Sequence, residues 1–331
     1  MENNHTITDY STEETVYLCE LPDFSIISGA FFIVICILSV IGNSLLICIL
    51  VIYENLKKVT NIFVLNLACS DLIFTVTLPF WAVYHLHHWI FGDFLCKFLT
   101  GAHFIGLYSS VIILTAMTVD RFFTVVLQKW PNNHLRQRKY VIGACAAAWL
   151  ISIAASIRDA IKIEVSEFYG VYYCEASSDV VLEYYVQMSL LFFLPFTITI
   201  FCYCAIIKTV LQAANRERQR TVAVVLCIVV AFFICWGPYI IILFIRLLYK
   251  PKVCTEYKWL EIAYNVFRVL AFSHCCMNPL FYMLSQKLRR HLLHILHCDI
   301  LCRRNNERGF VQNTSVIQNV AFTTNNSAVM L

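Results

Sequence analysis

The sequence predicts an all-α membrane protein, built as a bundle of seven transmembrane helices with a short amphipathic eighth helix. Composition and the placement of the apolar residues carry this prediction. Of the 331 residues, 60% are hydrophobic and 14% are charged, and the mean hydropathy is +0.69. Soluble domains are about half apolar and about a quarter charged. The composition therefore excludes a single water-soluble core.

The apolar residues fall into seven separate runs, each near or above the length of a membrane span. A helix rises about 1.5 Å per residue, so about 20 residues cross the ~30 Å hydrocarbon core of a bilayer. The runs cover residues 25–52, 61–86, 96–127, 140–157, 180–210, 221–248 and 260–284. Because the number of runs is odd, the two ends of the chain lie on opposite sides of the membrane.

Lysine and arginine residues gather on one side of the predicted membrane and set the orientation. They follow the first, third, fifth and seventh runs, and include Lys57, Lys58, Arg136, Arg138, Lys139, Arg216, Arg218, Arg220, Lys287, Arg289 and Arg290. The positive-inside rule puts the N-terminus outside the cell and the C-terminus in the cytoplasm. We therefore divide the chain into an acidic outer tail (1–24), the bundle (25–285), the amphipathic helix (286–297) and a cytoplasmic tail (298–331).

The outer tail is acidic and contains no lysine or arginine. Asn4 begins an Asn-His-Thr pattern, which is typical of glycosylation acceptors on the outer face. Tyr10 and Tyr17 follow acidic residues and are candidates for sulfation; the acidic residues near them are Asp9, Glu13 and Glu14. An unmodified, disordered tail is the alternative interpretation.

The cysteines outside the apolar runs divide by compartment. Four lie on the oxidising outer face, namely Cys19, Cys96, Cys174 and Cys254. They predict two disulfides, but four cysteines allow three pairings that spacing does not separate. Cys298 and Cys302 follow the amphipathic helix on the cytoplasmic side, where they are either palmitoylation sites or free thiols.

Polar residues inside the predicted spans indicate a buried polar core. Asp71 in the second span, Ser110 in the third and Asn278 in the seventh are candidates for it. A carboxylate at mid-membrane must be paired, protonated or bound to an ion, so a sodium or proton site is the hypothesis. Asp71 and His274 would also suit a transporter, although no inverted repeat is visible between the two halves of the chain.

Short motifs in every span resemble the rhodopsin-like G-protein-coupled receptors in order and spacing. The motifs are Gly42-Asn43, Leu67-Ala68-Cys69-Ser70-Asp71, Asp120-Arg121-Phe122, Trp149, Pro195 with Tyr203, Cys235-Trp236-Gly237-Pro238 and Asn278-Pro279-Leu280-Phe281-Tyr282. Within that class, residues 77–81, 89–97 and 273–279 and the extra cysteines Cys19 and Cys254 are similar to chemokine receptors. Residues 61–67 and 270–276 look most like the XC chemokine (lymphotactin) receptors.

The resemblance implies a set of disulfides and ligand contacts. It implies that Cys96 pairs with Cys174 and that Cys19 pairs with Cys254. It also implies that the acidic tail captures a small basic chemokine, because complementary charge speeds encounter. The implied ligand-binding residues are Asp9, Tyr10, Glu13, Glu14 and Tyr17 in the tail, Glu175 in the second outer loop, and Trp81, His103, Phe104, Tyr239, Glu261 and Arg268 around the cavity.

Arg268 departs from the pattern of most chemokine receptors. They commonly carry a glutamate eleven residues before the proline of the Asn-Pro motif, and this chain has Arg268 there, as XC receptors do. A cation at this depth repels a ligand ammonium and prefers a carboxylate or a backbone carbonyl. We expect Glu261, seven residues earlier on the same helix face, to balance it.

The resemblance further implies an activation switch on the cytoplasmic side. The switch residues would be Asp120, Arg121, Tyr203, Trp236, Pro238, Asn278, Pro279 and Tyr282. Arg121 would be held by Asp120 at rest and released when the sixth span swings out at Pro238. Phe122 stands where tyrosine is usual, which leaves the strength of coupling open.

The implied partners are a chemokine, an inhibitory-class heterotrimeric G protein, arrestin, receptor kinases and membrane lipids. The implied location is the plasma membrane, with calcium flux and chemotaxis as the outcome. A scavenging receptor that does not signal through a G protein is the first alternative, and a transporter is the second. We expect neither an enzyme nor a nucleic-acid partner, because no metal-ligand spacing, phosphate loop or nucleophile motif is present. A bound sodium ion is the one cofactor to consider.

Overall fold

The computed structural model describes residues 24–127, 134–176, 181–211, 216–249, 251 and 253–283. These residues form nine helices and one hairpin. In chain order they are α1 (Ser25–Ile52), α2 (Val59–Thr75), α3 (Leu78–Leu86), α4 (Gly92–Val125), α5 (His134–Ile161), β1 (Ile163–Phe168), β2 (Val171–Ala176), α6 (Val181–Leu211), α7 (Arg216–Leu248), α8 (Cys254–Phe272) and α9 (His274–Met283). The predicted amphipathic helix and the cytoplasmic tail lie outside the described residues.

Within the described residues, six helical segments are long and apolar enough to cross a bilayer. They are Ser25–Ile52, Val59–Leu86, Gly92–Val125, Leu135–Ile161, Leu190–Val210 and Leu226–Leu248, and they correspond to the first six predicted spans. The seventh predicted span is formed by α8 and α9, which are separated at Ser273. Because its helix is divided and α8 carries Glu261 and Arg268, this span does not stand out by length and hydropathy alone.

Proline breaks the second predicted span and shapes the seventh. Pro79 lies at the start of α3, and α2 ends four residues before it, at Thr75. Pro279 lies inside α9 and cannot donate a backbone hydrogen bond to the carbonyl of Cys275. The side chain of Asn43 in α1 donates to that carbonyl instead, with Nδ2 2.9 Å from the oxygen. The proline therefore ties α9 to α1.

Helix α4 is the centre of the bundle, with contacts to α2, α5 and α6. Its closest approach is to α2 at Gly106, where an added Cβ would lie 2.6 Å from the backbone nitrogen of Phe74. Hydrogen bonds between side chains support the neighbouring contacts. Tyr108 Oη donates to Asp159 Oδ2 of α5 at 2.8 Å, and Ser109 Oγ donates to Ser70 Oγ of α2 at 2.8 Å.

The hairpin β1–β2 covers the outer end of α4 and was not anticipated from the sequence. The strands are antiparallel, with Val165 opposite Cys174. Tyr169 and Gly170 form the turn with φ of 50° and 78°, which suits the twist of a two-residue hairpin. A disulfide joins Cys174 to Cys96 at the head of α4, with the two Cα atoms 5.8 Å apart. The hairpin is thus fixed to the bundle.

Large apolar side chains cover the outside of the bundle. On α1, Phe31, Val34 and Leu38 are each at least half exposed, and Leu150 of α5 and Phe201 of α6 are also exposed. A water-soluble monomer rarely exposes an apolar surface of this extent. The pattern fits contact with lipid.

The contact at Gly106 predicts that two glycine substitutions have different effects on the melting temperature. Gly106→Ala should lower the melting temperature by several degrees, because overpacking against the Phe74 backbone costs about 1–3 kcal/mol. Gly143→Ala is the matched control, since no atom lies within 4 Å of the added Cβ and alanine favours a helix. Thermal unfolding of both variants in detergent would test this. Equal melting temperatures for the two variants would contradict the packing argument.

Candidate ligand pocket and signalling core

Aromatic side chains of α3, α4 and α7 contribute to one layer in the outer half of the bundle. Trp81 and His103 lie 6.2 Å apart between ring centroids, and His103 and Phe104 lie 5.5 Å apart. Tyr239 of α7 joins the layer through Trp236, at 5.9 Å. The structure thus brings together the four residues that the sequence assigned to the cavity wall.

Phe272 is the central residue of this layer and was missed by the sequence analysis. Its ring lies 5.1 Å from Phe32, 5.4 Å from Phe74, 5.0 Å from His103 and 6.2 Å from Trp236. It therefore connects α1, α2, α4, α7 and α8. A phenylalanine in an apolar run carries no local signal that would mark it as central.

Charged and polar groups lie on α7 and α8 above the aromatic layer. Arg246 of α7 forms an ion pair with Glu261 of α8, at 3.1 Å. Asn265 Nδ2 donates to Glu261 Oε1 at 3.0 Å, and Asn265 Oδ1 accepts from Arg268 at 2.7 Å. The prediction that Glu261 balances Arg268 is therefore wrong: Glu261 pairs directly with Arg246, and Asn265 separates it from Arg268. Sequence spacing placed both residues on one face but did not reveal the arginine of the neighbouring helix.

Arg268 is half-buried among aromatic rings. Its guanidinium carbon lies 5.1 Å from the ring centroid of Tyr264 and 5.6 Å from that of Phe32. Its Nη2 is 3.5 Å from the Ser28 hydroxyl of α1. Cation–π contacts of this kind stabilise an arginine in an apolar setting. Arg268 is therefore packed against side chains of α1 and of its own helix, next to the aromatic layer.

The structure describes some of the predicted outer loop residues and not others. Glu175 lies exposed on β2 and accepts a hydrogen bond from Ser166 at 3.1 Å. Cys254 is disulfide-bonded, and its partner lies outside the described residues, so pairing with Cys19 stays a prediction. The other predicted outer and cytoplasmic sites also lie outside the described residues: Asn4, Asp9, Tyr10, Glu13, Glu14, Tyr17, Cys298 and Cys302.

Asp71, Ser110 and Asn278 meet in the middle of the bundle, and all three are buried. Ser110 Oγ donates to Asp71 Oδ1 at 3.1 Å, and Asn278 Nδ2 donates to Asp71 Oδ2 at 2.6 Å. His274 Nε2 lies 4.0 Å from Asp71 Oδ1. This polar core lies directly beneath the aromatic layer, because His274 packs 5.4 Å from Trp236 between ring centroids.

A second polar cluster lies beside Asp71 and includes residues that the sequence analysis did not select. Ser39 of α1 and Thr75 of α2 share a hydrogen bond of 2.6 Å between their hydroxyls. Asn43 Nδ2 reaches Ser39 Oγ at 3.0 Å as well as the Cys275 carbonyl. Thr75 Oγ1 also donates to the backbone carbonyl of Asp71. These contacts hold α1, α2 and α9 together around the carboxylate.

At the cytoplasmic end, Asp120 and Arg121 bond to different partners. Gln137 of α5 donates to Asp120 Oδ1 at 3.0 Å, and Arg121 donates to the hydroxyl of Thr60 in α2. Within the described part of the chain, no hydrogen bond or ion pair joins Asp120 to Arg121. The expectation that Asp120 holds Arg121 at rest is therefore replaced by a contact between Arg121 and Thr60.

The remaining switch residues line the path between the two ends. Trp236 and Tyr203 are buried, and Pro238 lies inside α7. A small apolar cavity lies beside Trp236, lined by Tyr108, Val111, Phe192 and Phe232 among others. Tyr282 belongs to α9, but its side chain lies outside the described part of the structure.

Comparison with known proteins identifies the family. The chain matches the 7 transmembrane receptor (rhodopsin family) over residues 42–282. It is 41% identical over 273 residues to chemokine XC receptor 1 of Homo sapiens, covering 81% of this chain and 80% of that protein. This chain is a chemokine receptor of the rhodopsin family. It is also 37% identical over 309 residues to chemokine XC receptor 1 of Mus musculus (92% and 94% covered), and 33% identical over 279 residues to C-C chemokine receptor type 8 of Homo sapiens (81% and 78% covered).

Family membership settles the architecture of this chemokine receptor. The seven-helix transmembrane bundle is confirmed, with α8 and α9 together as the seventh span. The pairing of Cys96 with Cys174 that the resemblance implied is also confirmed. As a member of this family, the protein is a multi-pass membrane receptor.

Proposed function

We propose that this chemokine receptor binds a small basic chemokine of the XC type at the outer face of the plasma membrane. Its N-terminal tail is extracellular, and binding activates an inhibitory-class G protein, with calcium flux and chemotaxis as the response. The observation that carries the XC assignment is Arg268, which lies in the pocket where most chemokine receptors place a glutamate. Similarity to chemokine XC receptor 1 supports it.

Ligand capture would occur in two steps. The acidic tail, glycosylated at Asn4 and sulfated at Tyr10 and Tyr17, attracts the basic body of the chemokine, because opposite charge accelerates encounter. Glu175, exposed on the hairpin, adds to this negative surface. The flexible N-terminal segment of the chemokine then enters the pocket above Trp81, His103, Phe104 and Tyr239. There Arg268 selects against a ligand ammonium.

Signalling would follow from a shift between two packings of the bundle. A ligand that presses on the aromatic layer moves Trp236, and α7 swings outward at Pro238. Arg121 then leaves Thr60 and turns toward Tyr203 and Tyr282, which opens the cytoplasmic face to the G protein. Receptor kinases and arrestin act on the tail, and palmitoylation at Cys298 and Cys302 attaches it to membrane lipids.

A scavenging receptor is the second candidate function, and Phe122 is the observation that favours it. Phe122 replaces the usual tyrosine after Arg121 and packs against Phe201 of α6, with ring centroids 6.0 Å apart. The intact Asp120-Arg121 sequence motif and the complete Asn278 to Tyr282 motif favour signalling instead.

The first experiment measures chemokine binding and G-protein dissociation separately in cells that express the receptor. A chemokine panel should give a response to an XC-type ligand, and Arg268→Glu should abolish it, because the pocket charge is reversed. Arg121→Ala should keep binding and lose dissociation. If the wild-type receptor binds a chemokine and no G protein dissociates, the scavenging function replaces this proposal. If nothing in the panel binds, the chemokine assignment itself is wrong.

The contact between Arg121 and Thr60 predicts a constitutively active variant. Thr60→Val keeps the side-chain shape but removes the hydroxyl, so the resting position of Arg121 loses a charge-assisted hydrogen bond. Such a bond is worth about 1.5–3 kcal/mol, so basal G-protein dissociation should rise by about tenfold or more. Thr197→Val is the control, because this hydroxyl bonds only within α6 at an exposed position. Basal activity equal to wild type would exclude the resting role of Thr60.

We also propose that a sodium ion binds at the polar core. The carboxylate of Asp71 and the hydroxyl of Ser110 supply hard oxygen ligands, which suit an alkali cation, and Asn278 can turn its amide oxygen toward the same point. A bound ion would neutralise the buried carboxylate and hold α2, α4 and α9 in the resting packing.

Replacement of sodium by choline tests this site. Sodium chloride should raise the melting temperature of the wild-type receptor by a few degrees relative to choline chloride, because a ligand of the folded state stabilises it. Asp71→Asn should remove this difference. Asp93→Asn, at an exposed carboxylate on the outer end of α4, should retain it. An identical sodium effect in Asp71→Asn would rule out binding at the polar core.

A further inference from the structure

The charges above the aromatic layer are unequally matched. The network of described residues there contains two arginines and one glutamate, and Glu261 uses both of its carboxylate oxygens within it. Its Oε2 pairs with Arg246 at 3.1 Å, and its Oε1 accepts from Asn265 at 3.0 Å. The negative charge of Glu261 is therefore directed to Arg246.

Among the described residues, Arg268 bonds to neutral partners. Its Nη2 donates to Asn265 Oδ1 at 2.7 Å and lies 3.5 Å from the Ser28 hydroxyl. Its Nε is buried without a hydrogen-bond partner, and among the described residues no carboxylate lies within ion-pair distance of its guanidinium. A half-buried cation without a counter-ion is costly, so the site favours a ligand that supplies negative charge.

Aromatic rings hold the two guanidinium groups apart. Arg246 stacks on Tyr264 at 4.1 Å and Arg268 lies 5.1 Å from the centroid of the same ring, while Phe32 lies on another side of Arg268 at 5.6 Å. These rings stabilise the cations but do not neutralise them. They also fix the position of Arg268, so an anion would meet a donor that is already in place.

We propose that Arg268 binds a single carboxylate, which an acidic side chain supplies from the ligand segment that enters the pocket. Glu261 neutralises Arg246, so Arg246 does not bind a second carboxylate. The inference rests on the proposed chemokine function and specifies the chemistry of its ligand. Arginine forms strong charge-assisted hydrogen bonds to carboxylates, and the guanidinium of Arg268 has no ionic partner among the described residues. Glu261 is thus a specificity-determining residue that acts through Arg246 and Asn265.

The position of Arg268 would connect this recognition to the switch. Arg268 lies one helical turn before Phe272 on α8. Phe272 contacts His103 at 5.0 Å and Trp236 at 6.2 Å between ring centroids. A carboxylate held at Arg268 therefore positions the adjoining ligand atoms on the aromatic layer that includes Trp236.

A charge scan of the ligand tests the proposal. An XC-type chemokine is prepared with Glu, Gln or Lys at each position of its N-terminal segment in turn, and G-protein dissociation is measured against concentration. At one position, Glu should exceed Gln in potency by about tenfold, with Lys the weakest, because a charge-assisted bond is lost. Arg268→Gln should remove the preference for Glu, and Arg268→Glu should reverse it toward Lys.

Two further receptor variants separate charge balance from simple contact. Arg246→Gln leaves Glu261 free to compensate Arg268, so the preference for Glu over Gln should weaken. Glu261→Gln leaves both arginines uncompensated, so the preference should strengthen. Lys97→Gln is the control at an exposed lysine that pairs with Asp93, and it should leave the preference unchanged. Cell-surface expression is measured for every variant.

The outcomes distinguish this inference from the proposed function. If the chemokine activates the receptor but no position separates Glu from Gln, or if the preference survives in Arg268→Gln, the carboxylate site is wrong and the receptor assignment stands. If Arg246→Gln and Glu261→Gln change the preference in the same direction, the role of Glu261 is wrong. If no XC-type chemokine binds, both proposals fail.

Discussion

The arrangement of the bundle depends on the hydrogen bond between the side chain of Asn43 and the backbone carbonyl of Cys275. A backbone carbonyl in the interior of a membrane protein must find a donor, because no bulk water is present to supply one. Pro279 cannot supply it, so the side chain of Asn43 does. This contact fixes α9 against α1. It also places Asn278, the residue before the proline, within hydrogen-bond distance of Asp71.

From that point the bundle is organised in layers along its axis. The polar core around Asp71 lies under an aromatic layer that includes Trp236 and Phe272, and the charged network of α7 and α8 lies above that layer. Charge in the outer pocket and charge in the core are therefore separated by rings that touch both. His274 packs on Trp236 from below, and Phe272 packs on it from the side of Arg268.

Each end of the bundle contains an arginine that bonds to a neutral side chain. Arg268 and Arg121 are both half-buried arginines whose hydrogen bonds go to neutral side chains, Asn265 and Thr60. Within the part of the chain that the structure describes, neither pairs with the carboxylate expected from its neighbours in sequence, Asp120 for Arg121 and Glu261 for Arg268. Bonds to neutral groups are weaker than ion pairs, so both arginines can exchange partners at modest cost. This is the property that a ligand site and a switch require.

The sequence by itself determined the seven apolar spans, the family and the residues of the polar core, Asp71, Ser110 and Asn278. Hydrophobic runs, basic loops and motif spacing are local properties of the sequence. Each apolar helix is stable in a membrane without contacts to the other helices. Only the tertiary structure decided that Glu261 pairs with Arg246, that Phe272 joins five helices, that Arg121 reaches Thr60 and that the outer loop is a hairpin. These depend on how far each helix is rotated and shifted against its neighbours. Close packing at glycine and proline positions such as Gly106 and Pro279 sets those rotations, and it does so between residues far apart in the chain.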